Sequence, residues 1–182
     1  ASPLSFVQQL KKKSQARNKK GMDLSFDIRG NLKPYKRVPL SIEDFETVFV
    51  NSFDEVSPRH DLFRKFQEYT LDFQAHISDE FIQWINGSFI SNKRKVNDID
   101  FVNLIDYQLL ENKEEQIKQK FIKNKAYKKY GIDAYLLIIY PKGHKLRRWT
   151  ESDLLYWSDL FTKTRKDRFG KRYSKGYIEI TR

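Results

Sequence analysis

The stretch that decides the fold runs from Ile85 to Ile105, INGSFISNKRKVNDIDFVNLI. It begins at the end of an alternating, β-rich run, Phe81 to Ile85 (FIQWI), which stops at Gly87-Ser88. Nine residues separate Ser88 from Asp98-Ile99-Asp100, which leads into a second alternating run, Ile99 to Ile105. Residues two apart on a strand share a face, so Asp98 and Asp100 project together while Ile99 turns to the core. Two carboxylates held side by side repel unless a cation lies between them. Hard oxygen donors of this kind suit Mg²⁺, which takes a few protein carboxylates and completes its shell with water and phosphate oxygens. Gly87 lets the chain bend closely against a phosphate, and Ser88 offers it a hydroxyl and a backbone N–H.

A third acidic residue is expected at the same place. Asp133 opens the next β-like run, DAYLLIIYP (133–141), and is the sole carboxylate between Gln116 and Arg148. A neighbouring strand brings it beside Asp98 and Asp100. In a two-metal scheme the first two carboxylates bridge the ions, and the third helps to deprotonate an attacking hydroxyl. Either motif alone has an ordinary reading, a GS turn or a strand start. The combination, with apolar runs on both sides, points to descent from a catalytic fold.

Working outward, the residues before this stretch read as helical. Ser41 caps a helix carrying Ile42, Phe45, Val48 and Phe49, with Asp44 as a weak capping-box partner. Ser57-Pro58 opens a second helix with a broad apolar face from Leu62 to Phe73, Leu71 included. Residues 26–40 are turn-rich and read as an ordered loop. After Ile105, Glu111 to Tyr130 reads as one charged helix with Ile117, Phe121 and Ile122 as its inner stripe. Tyr135 to Tyr140 reads as a strand, Thr150 as the cap of a further helix, and Gly176 to Ile180 as a closing strand. The expected fold is α/β (α+β), a mixed central β-sheet flanked by helices. Residues 1–22 read as a basic arm or short helix, and residues 23–182 as the folded domain.

The 182 residues hold 35 Lys and Arg against 24 Asp and Glu, a net charge of +11. Residues 1–22 carry six basic residues and no acidic ones. Residues 23–110 carry ten basic against fifteen acidic, and residues 111–182 carry nineteen against nine. Basic ends attract phosphates, whether of nucleotides or of nucleic acid, or else serve solubility. The absence of cysteine excludes disulfides, a thiolate zinc site and a cysteine nucleophile. No apolar run approaches the roughly 18–20 residues of a membrane span, and the first twenty residues lack the apolar block of a secretory signal. A cytoplasmic protein without membrane partners is the expectation.

Gly87, Ser88, Asp98, Asp100 and Asp133 together resemble the signature of the DNA polymerase beta-like nucleotidyltransferase superfamily. There an apolar strand ends in Gly-Ser or Gly-Gly, a D-x-D or D-x-E follows, and a third carboxylate lies on a later strand. The chain is similar, more closely, to a bacterial group of small stand-alone members, a domain of unknown function. The likeness rests on FDIRGNLKP (26–34), SIEDFETVFV (41–50), GSF before NDIDFV, and a closing KG-x-[IV]-E-[IL]-like strand from Lys175 to Ile180. It covers about residues 24–182. The resemblance implies a minimal nucleotidyltransferase fold that transfers a nucleoside monophosphate from an NTP to a hydroxyl of a protein or RNA acceptor. Gly87 and Ser88 would hold the phosphates, Asp98 and Asp100 would bind Mg²⁺ (or Mn²⁺), and Asp133 would be ligand and base. Two departures follow: the Ser88–Asp98 connection is short, so its usual helix is expected to be abbreviated, and acceptor recognition falls to a partner protein or the basic flanks. Small members often resemble parts of toxin–antitoxin or phage-defence pairs, which brings in a cognate protein partner. The competing reading is a catalytically inactive binding module on the same fold, an antitoxin-like partner or RNA binder.

Lys93, Arg94 and Lys95 lie beside the phosphate bend and fit either charge neutralisation or a solvated loop. Lys142, His144, Lys145, Arg147 and Arg148 offer a second basic rim. The basic tail from Arg165 to Lys175 interleaves Phe169 and Tyr173, which either stack on bases or anchor the loop, the latter being preferred. His60, His76 and His144 lack metal-ligand spacing. Trp84, Trp149 and Trp157 read as core, and Ser88 lacks the elbow and histidine of a serine nucleophile.

Overall fold

The computed structural model describes residues 24–182; the basic arm at 1–22 lies outside them. Seven strands and five helices follow one another: β1 (Ser25–Phe26), β2 (Leu32–Lys33), β3 (Arg37–Pro39), α1 (Ile42–Glu46), α2 (Pro58–His76), β4 (Ile82–Asn86), β5 (Asp100–Asp106), α3 (Tyr107–Lys120), α4 (Lys123–Tyr130), β6 (Asp133–Ile139), α5 (Arg147–Phe161) and β7 (Tyr177–Thr181). The main sheet is mixed, in the order β3-β7-β4-β5-β6. β4 lies antiparallel to β5 and β7, while β5–β6 and β3–β7 are parallel. The chain therefore has the mixed α+β architecture that its sequence implies.

The two faces of the sheet differ. On one, Phe101 of β5 meets Phe66 and Tyr69 of α2 edge-on, with ring centroids 5.1 Å apart in each pair. Phe45, Phe73, Phe81 and Phe121 are buried around them, and burying one such ring is worth about 1.5–3 kcal/mol. Polar residues inside this face satisfy one another. Gln83 and Asn103 are register partners and bond through their amides at 3.2 Å; Asn103 then donates to the Tyr69 hydroxyl at 2.7 Å. The opposite face carries Trp84, Tyr135 and Tyr177, covered by Trp157 and Phe161 of α5.

The caps at Ser41 and Ser57 form as expected, with the Ser41 hydroxyl accepting from the N–H of Asp44 at 3.0 Å. α1 widens into a π-helical turn over Thr47–Asn51. The long charged helix is not one element. α3 starts earlier, capped by Asp106, breaks its helical geometry at Lys113 and ends at Phe121; α4 then begins at Lys123. At the kink, the Lys113 ammonium donates to the carbonyls of His76 and Ile77, satisfying the end of α2. Thr150 is not a cap. It sits buried inside α5, donating to the Ile138 carbonyl at 2.8 Å and accepting from the Tyr140 N–H at 2.9 Å, which pins α5 to the end of β6. Leu71 and Trp149 are exposed rather than core, because each lies on the outer side of its helix. Among the described residues, no helix is long and apolar enough to cross a membrane.

Candidate functional site

The Ile85–Ile105 stretch folds as an antiparallel pair of strands joined by a loop. Its register places Asn86 opposite Asp100, and β6 places Asp133 opposite Asp100 on the other side. Partners in register show their side chains on one face, so Asn86, Asp100 and Asp133 form a row across three strands. The row belongs to the face that α5 covers, at the strand ends the helix leaves open. Asp98 lies two residues before Asp100, just outside β5.

Two cavities meet at this row. The first, about 340 Å³, is lined by Gly87, Ser88, Lys93, Asp98 and Asp100, with Asn31 and Leu32 on its outer wall. The second, about 280 Å³, is lined by Asn86, Asp100 and Asp133 together with Tyr135, Tyr156 and Trp157. Gly87, Asp100, Arg165 and Lys175 border both.

Gly87 is required for this geometry. Its φ is +83°, and a Cβ there would sit 2.5 Å from Oδ2 of Asp100. Any side chain would displace the central carboxylate. Gly176 has a similar role at the far wall, where a Cβ would lie 2.4 Å from the Pro34 carbonyl oxygen. That close approach joins the start of β7 to the 26–34 turn, with the Gly176 N–H donating to the Leu32 carbonyl at 2.7 Å. The turn is itself built on Asp27, whose carboxylate accepts from the N–H groups of Arg29 and Asn31 and from the Tyr35 hydroxyl.

The loop after Gly87 holds no helix, not even an abbreviated one. One turn replaces it, in which Ser88's carbonyl accepts from the N–H and the hydroxyl of Ser91. Arg59, fully buried in the first turn of α2, fastens the loop from below. Its guanidinium donates to the carbonyls of Phe49, Phe89, Ser91 and Lys93 and lies 3.8 Å over the ring of Phe53. Burial alone lowers its pKa, to about 10.

The electrostatics centre on Asp100. Burial and the repulsion of Asp98 and Asp133 push its carboxyl up to about 6, against the opposing pull of Arg165 and Lys175. Burial brings Lys175 down to about 8, with Asp100 pulling it back up. Asp133 accepts a hydrogen bond from the Tyr135 hydroxyl at 2.9 Å, and burial plus that carboxylate raise the phenol to about 12. Oδ1 of Asn86 is buried and finds no hydrogen-bond partner among the described residues.

Of the expected site residues, Gly87, Ser88, Asp98, Asp100 and Asp133 come together, and Lys93 joins them. Arg94 and Lys95 are exposed and line neither cavity. The rim at Lys142–Arg148 is not at the site. It follows the far end of β6, whose seven residues separate it from Asp133 by about 20 Å at 3.3 Å per residue. Instead Arg147 donates to Glu151 and to the Tyr140 carbonyl. The structure adds Asn86, Arg165 and Lys175 to the site residues. A polar residue ending an apolar strand was the signal for Asn86, and the lysine preceding a tightly packed glycine was the signal for Lys175. Arg59 carried none, because its acceptors lie ten to thirty-four residues away.

A divalent cation is implied by the resemblance, and the donor chemistry fits one: Asp98 and Asp133 beside Asp100, whose pKa their charge helps to raise, next to an amide oxygen with no hydrogen-bond partner among the described residues. Among the described residues, however, no three or more His, Cys, Asp or Glu side chains form a group that could hold a metal ion. The carboxylates share a field around Asp100 rather than a closed cage.

Residues 24–181 match the model of a family of unknown function, DUF6932, and the chain belongs to that family. No curated protein and no solved structure matches it.

Proposed function

We propose that the protein is a metal-dependent, cytoplasmic nucleotidyltransferase, moving a nucleoside monophosphate from an NTP to an acceptor hydroxyl with release of pyrophosphate. The observation that carries this reading is the row Asn86–Asp100–Asp133, flanked by Asp98, at the Gly87-Ser88 bend. Asp98, Asp100 and Asp133 would hold Mg²⁺ or Mn²⁺, which when bound supplies charge neutralisation to the phosphates and to the attacking oxygen. The first cavity suits the triphosphate. Gly87 admits it closely, Ser88 offers a hydroxyl, and Lys93, Arg165 and Lys175 oppose its charge. Asp133, which lines the second cavity, would take the acceptor's proton. The acceptor oxygen attacks the α-phosphorus, the bond to the bridging oxygen of the β-phosphate breaks, and pyrophosphate leaves. Positioning and charge account for the acceleration without a covalent enzyme intermediate.

The second reading, a binding module without turnover, is favoured by the absence of a tight carboxylate group among the described residues. Incubation with each labelled NTP, Mg²⁺ or Mn²⁺ and a lysate separates the two. Label transfer that falls at least about 10²–10³-fold in Asp98→Ala or Asp100→Ala is the expected result. No transfer, together with no metal-dependent NTP binding, would leave only the binding module.

A further inference from the structure

The loop between α5 and β7, residues 163–175, carries seven basic residues and one acidic one. It is a built hairpin. Lys163 and Ser174 bridge across it, and the Thr164 N–H donates to the Tyr173 carbonyl at 2.8 Å. Asp167 ties its tip, accepting from the N–H groups of Phe169 and Lys171 and from the Tyr173 hydroxyl. The two interleaved aromatics divide their roles. Tyr173 is an anchor, with the Arg29 guanidinium 4.2 Å over its ring. Phe169 is 78% exposed at the tip. Among the described residues, only Lys163 of the seven cations has an ion-pair partner, Asp159. Four of the seven, Lys163, Arg165, Arg172 and Lys175, line the second cavity.

That cavity differs from the first in the character of its wall. Its lining combines the rings of Tyr156, 61% exposed, and Trp157 with the cations Lys163, Arg165, Arg172 and Lys175. At its floor lies the buried, unpartnered Oδ1 of Asn86, an acceptor suited to a hydroxyl hydrogen. A ligand matching all three features has flat rings, a run of negative charges and a free hydroxyl. Resting on the nucleotidyltransferase reading, we propose that the second cavity is the acceptor site and that it takes the 3′ end of a single-stranded nucleic acid. Its terminal base stacks on Tyr156, its phosphates lie along the hairpin, and its 3′ hydroxyl enters beside Asn86 and Asp133. The new bond joins that oxygen to the α-phosphorus of the NTP. Pyrophosphate is the leaving group, and the hydroxyl proton passes to the Asp133 carboxylate.

The test uses the full chain, fluorescein-labelled 20-mer RNA and DNA of one sequence, a polyglutamate peptide, and Mg-ATP. Expected are anisotropy-detected binding of an oligonucleotide in preference to the peptide, and affinity that falls steeply between 50 and 200 mM salt, roughly as −0.7 per phosphate contact on a log–log plot. Tyr156→Ala should weaken that binding about tenfold, and Arg172→Gln should lower the salt slope by about one contact. Both variants should bind Mg-ATP as the wild type does. Extension of the RNA 3′ end, the DNA 3′ end or both supports the proposal and names the sugar. Salt-insensitive or absent oligonucleotide binding overturns it. So does label arriving on protein rather than on an oligonucleotide, a result that keeps the transferase reading intact. Loss of Mg-ATP binding in Tyr156→Ala also overturns it, by assigning the ring to the nucleotide.

Discussion

Asp72 and Asp100 are the same residue type in the same protein, and their surroundings push them in opposite directions. Asp72, on α2, faces Lys120, Lys129 and the Tyr130 hydroxyl. Burial opposes its ionisation, yet hydrogen bonds from those three hold its carboxyl far below the usual range. Asp100 has two carboxylates as neighbours, and burial together with their charge raises it to about 6. The first arrangement joins α2 to α3 and α4 and is complete without a ligand. The second is left electrostatically unpaid within the chain, which is the condition a binding site satisfies and a purely structural cluster does not. Arg59 belongs with Asp72 in this contrast, although its sign is reversed: it is buried and uncompensated in charge, but its carbonyl partners are all within the chain.

Breaking the Arg59 cluster should have the largest effect. Arg59→Met removes the donor from four carbonyls and unfastens the loop that carries Ser88 and Lys93. A loss of about 3–5 kcal/mol in urea unfolding is expected, with Arg59→Lys retaining part of it. Stability equal to wild type would mean that the loop is held by its apolar plugs, Phe89, Ile90 and Val96, instead.

The comparison sharpens at Asp100 itself. Without metal, the folded protein keeps the Asp100 proton up to about pH 6, whereas the unfolded chain releases it near 3.8. The stability tied to that proton is fully present below about pH 4 and is lost as pH rises through 6. Asp100→Asn mimics the protonated form. In EDTA at pH 8 it should therefore be more stable than wild type by about 2 kcal/mol, and the gain should vanish at pH 4. Added Mg²⁺ should raise the melting temperature of wild type and leave that of Asp100→Asn unchanged. A variant no more stable than wild type at pH 8 would show that Asp98 and Asp133 do not load Asp100.

Much of this was legible in the chain because it is local. The β4–β5 pair followed from alternation on both sides of one Gly-Ser bend, and Asp98 and Asp100 line one cavity although Asp98 lies before the strand that the two-residue period assumed. Asp133 was legible as the only carboxylate opening a later strand. What the sequence hid are contacts between distant residues. The amide pair of Gln83 and Asn103 becomes visible only when the strand register sets them opposite one another. Arg59 carries no signal, because the carbonyls it serves lie ten to thirty-four residues away. Lys142–Arg148 reads as part of the site because it follows Asp133 closely in sequence, but a strand carries its two ends apart. The split of Glu111–Tyr130 was hidden for the same reason, since it falls at Phe121–Ile122, where the Phe121 carbonyl accepts from the Tyr69 hydroxyl of α2.

The smallest effect is expected at Asp72, where the contrast can be broken from the other side. Asp72→Asn keeps the shape and some hydrogen bonds but removes the charge that Lys120 and Lys129 share. Lys129 is half exposed, so water and salt weaken its share. The cost at pH 7 should be about 1 kcal/mol, smaller in 1 M salt. Its pH dependence runs opposite to that of Asp100. A depressed carboxyl contributes stability above its unfolded pKa near 3.8, and that stability is lost as pH falls through the folded value. The difference between wild type and Asp72→Asn should therefore hold steady from pH 5 to 8 and close in acid, while the difference at Asp100 opens only above pH 4. Urea midpoints for the two variants across one pH series test both slopes together. Slopes of the same sign would mean that the two carboxylates share one kind of environment, and Asp100 would then lose its claim to be a ligand site.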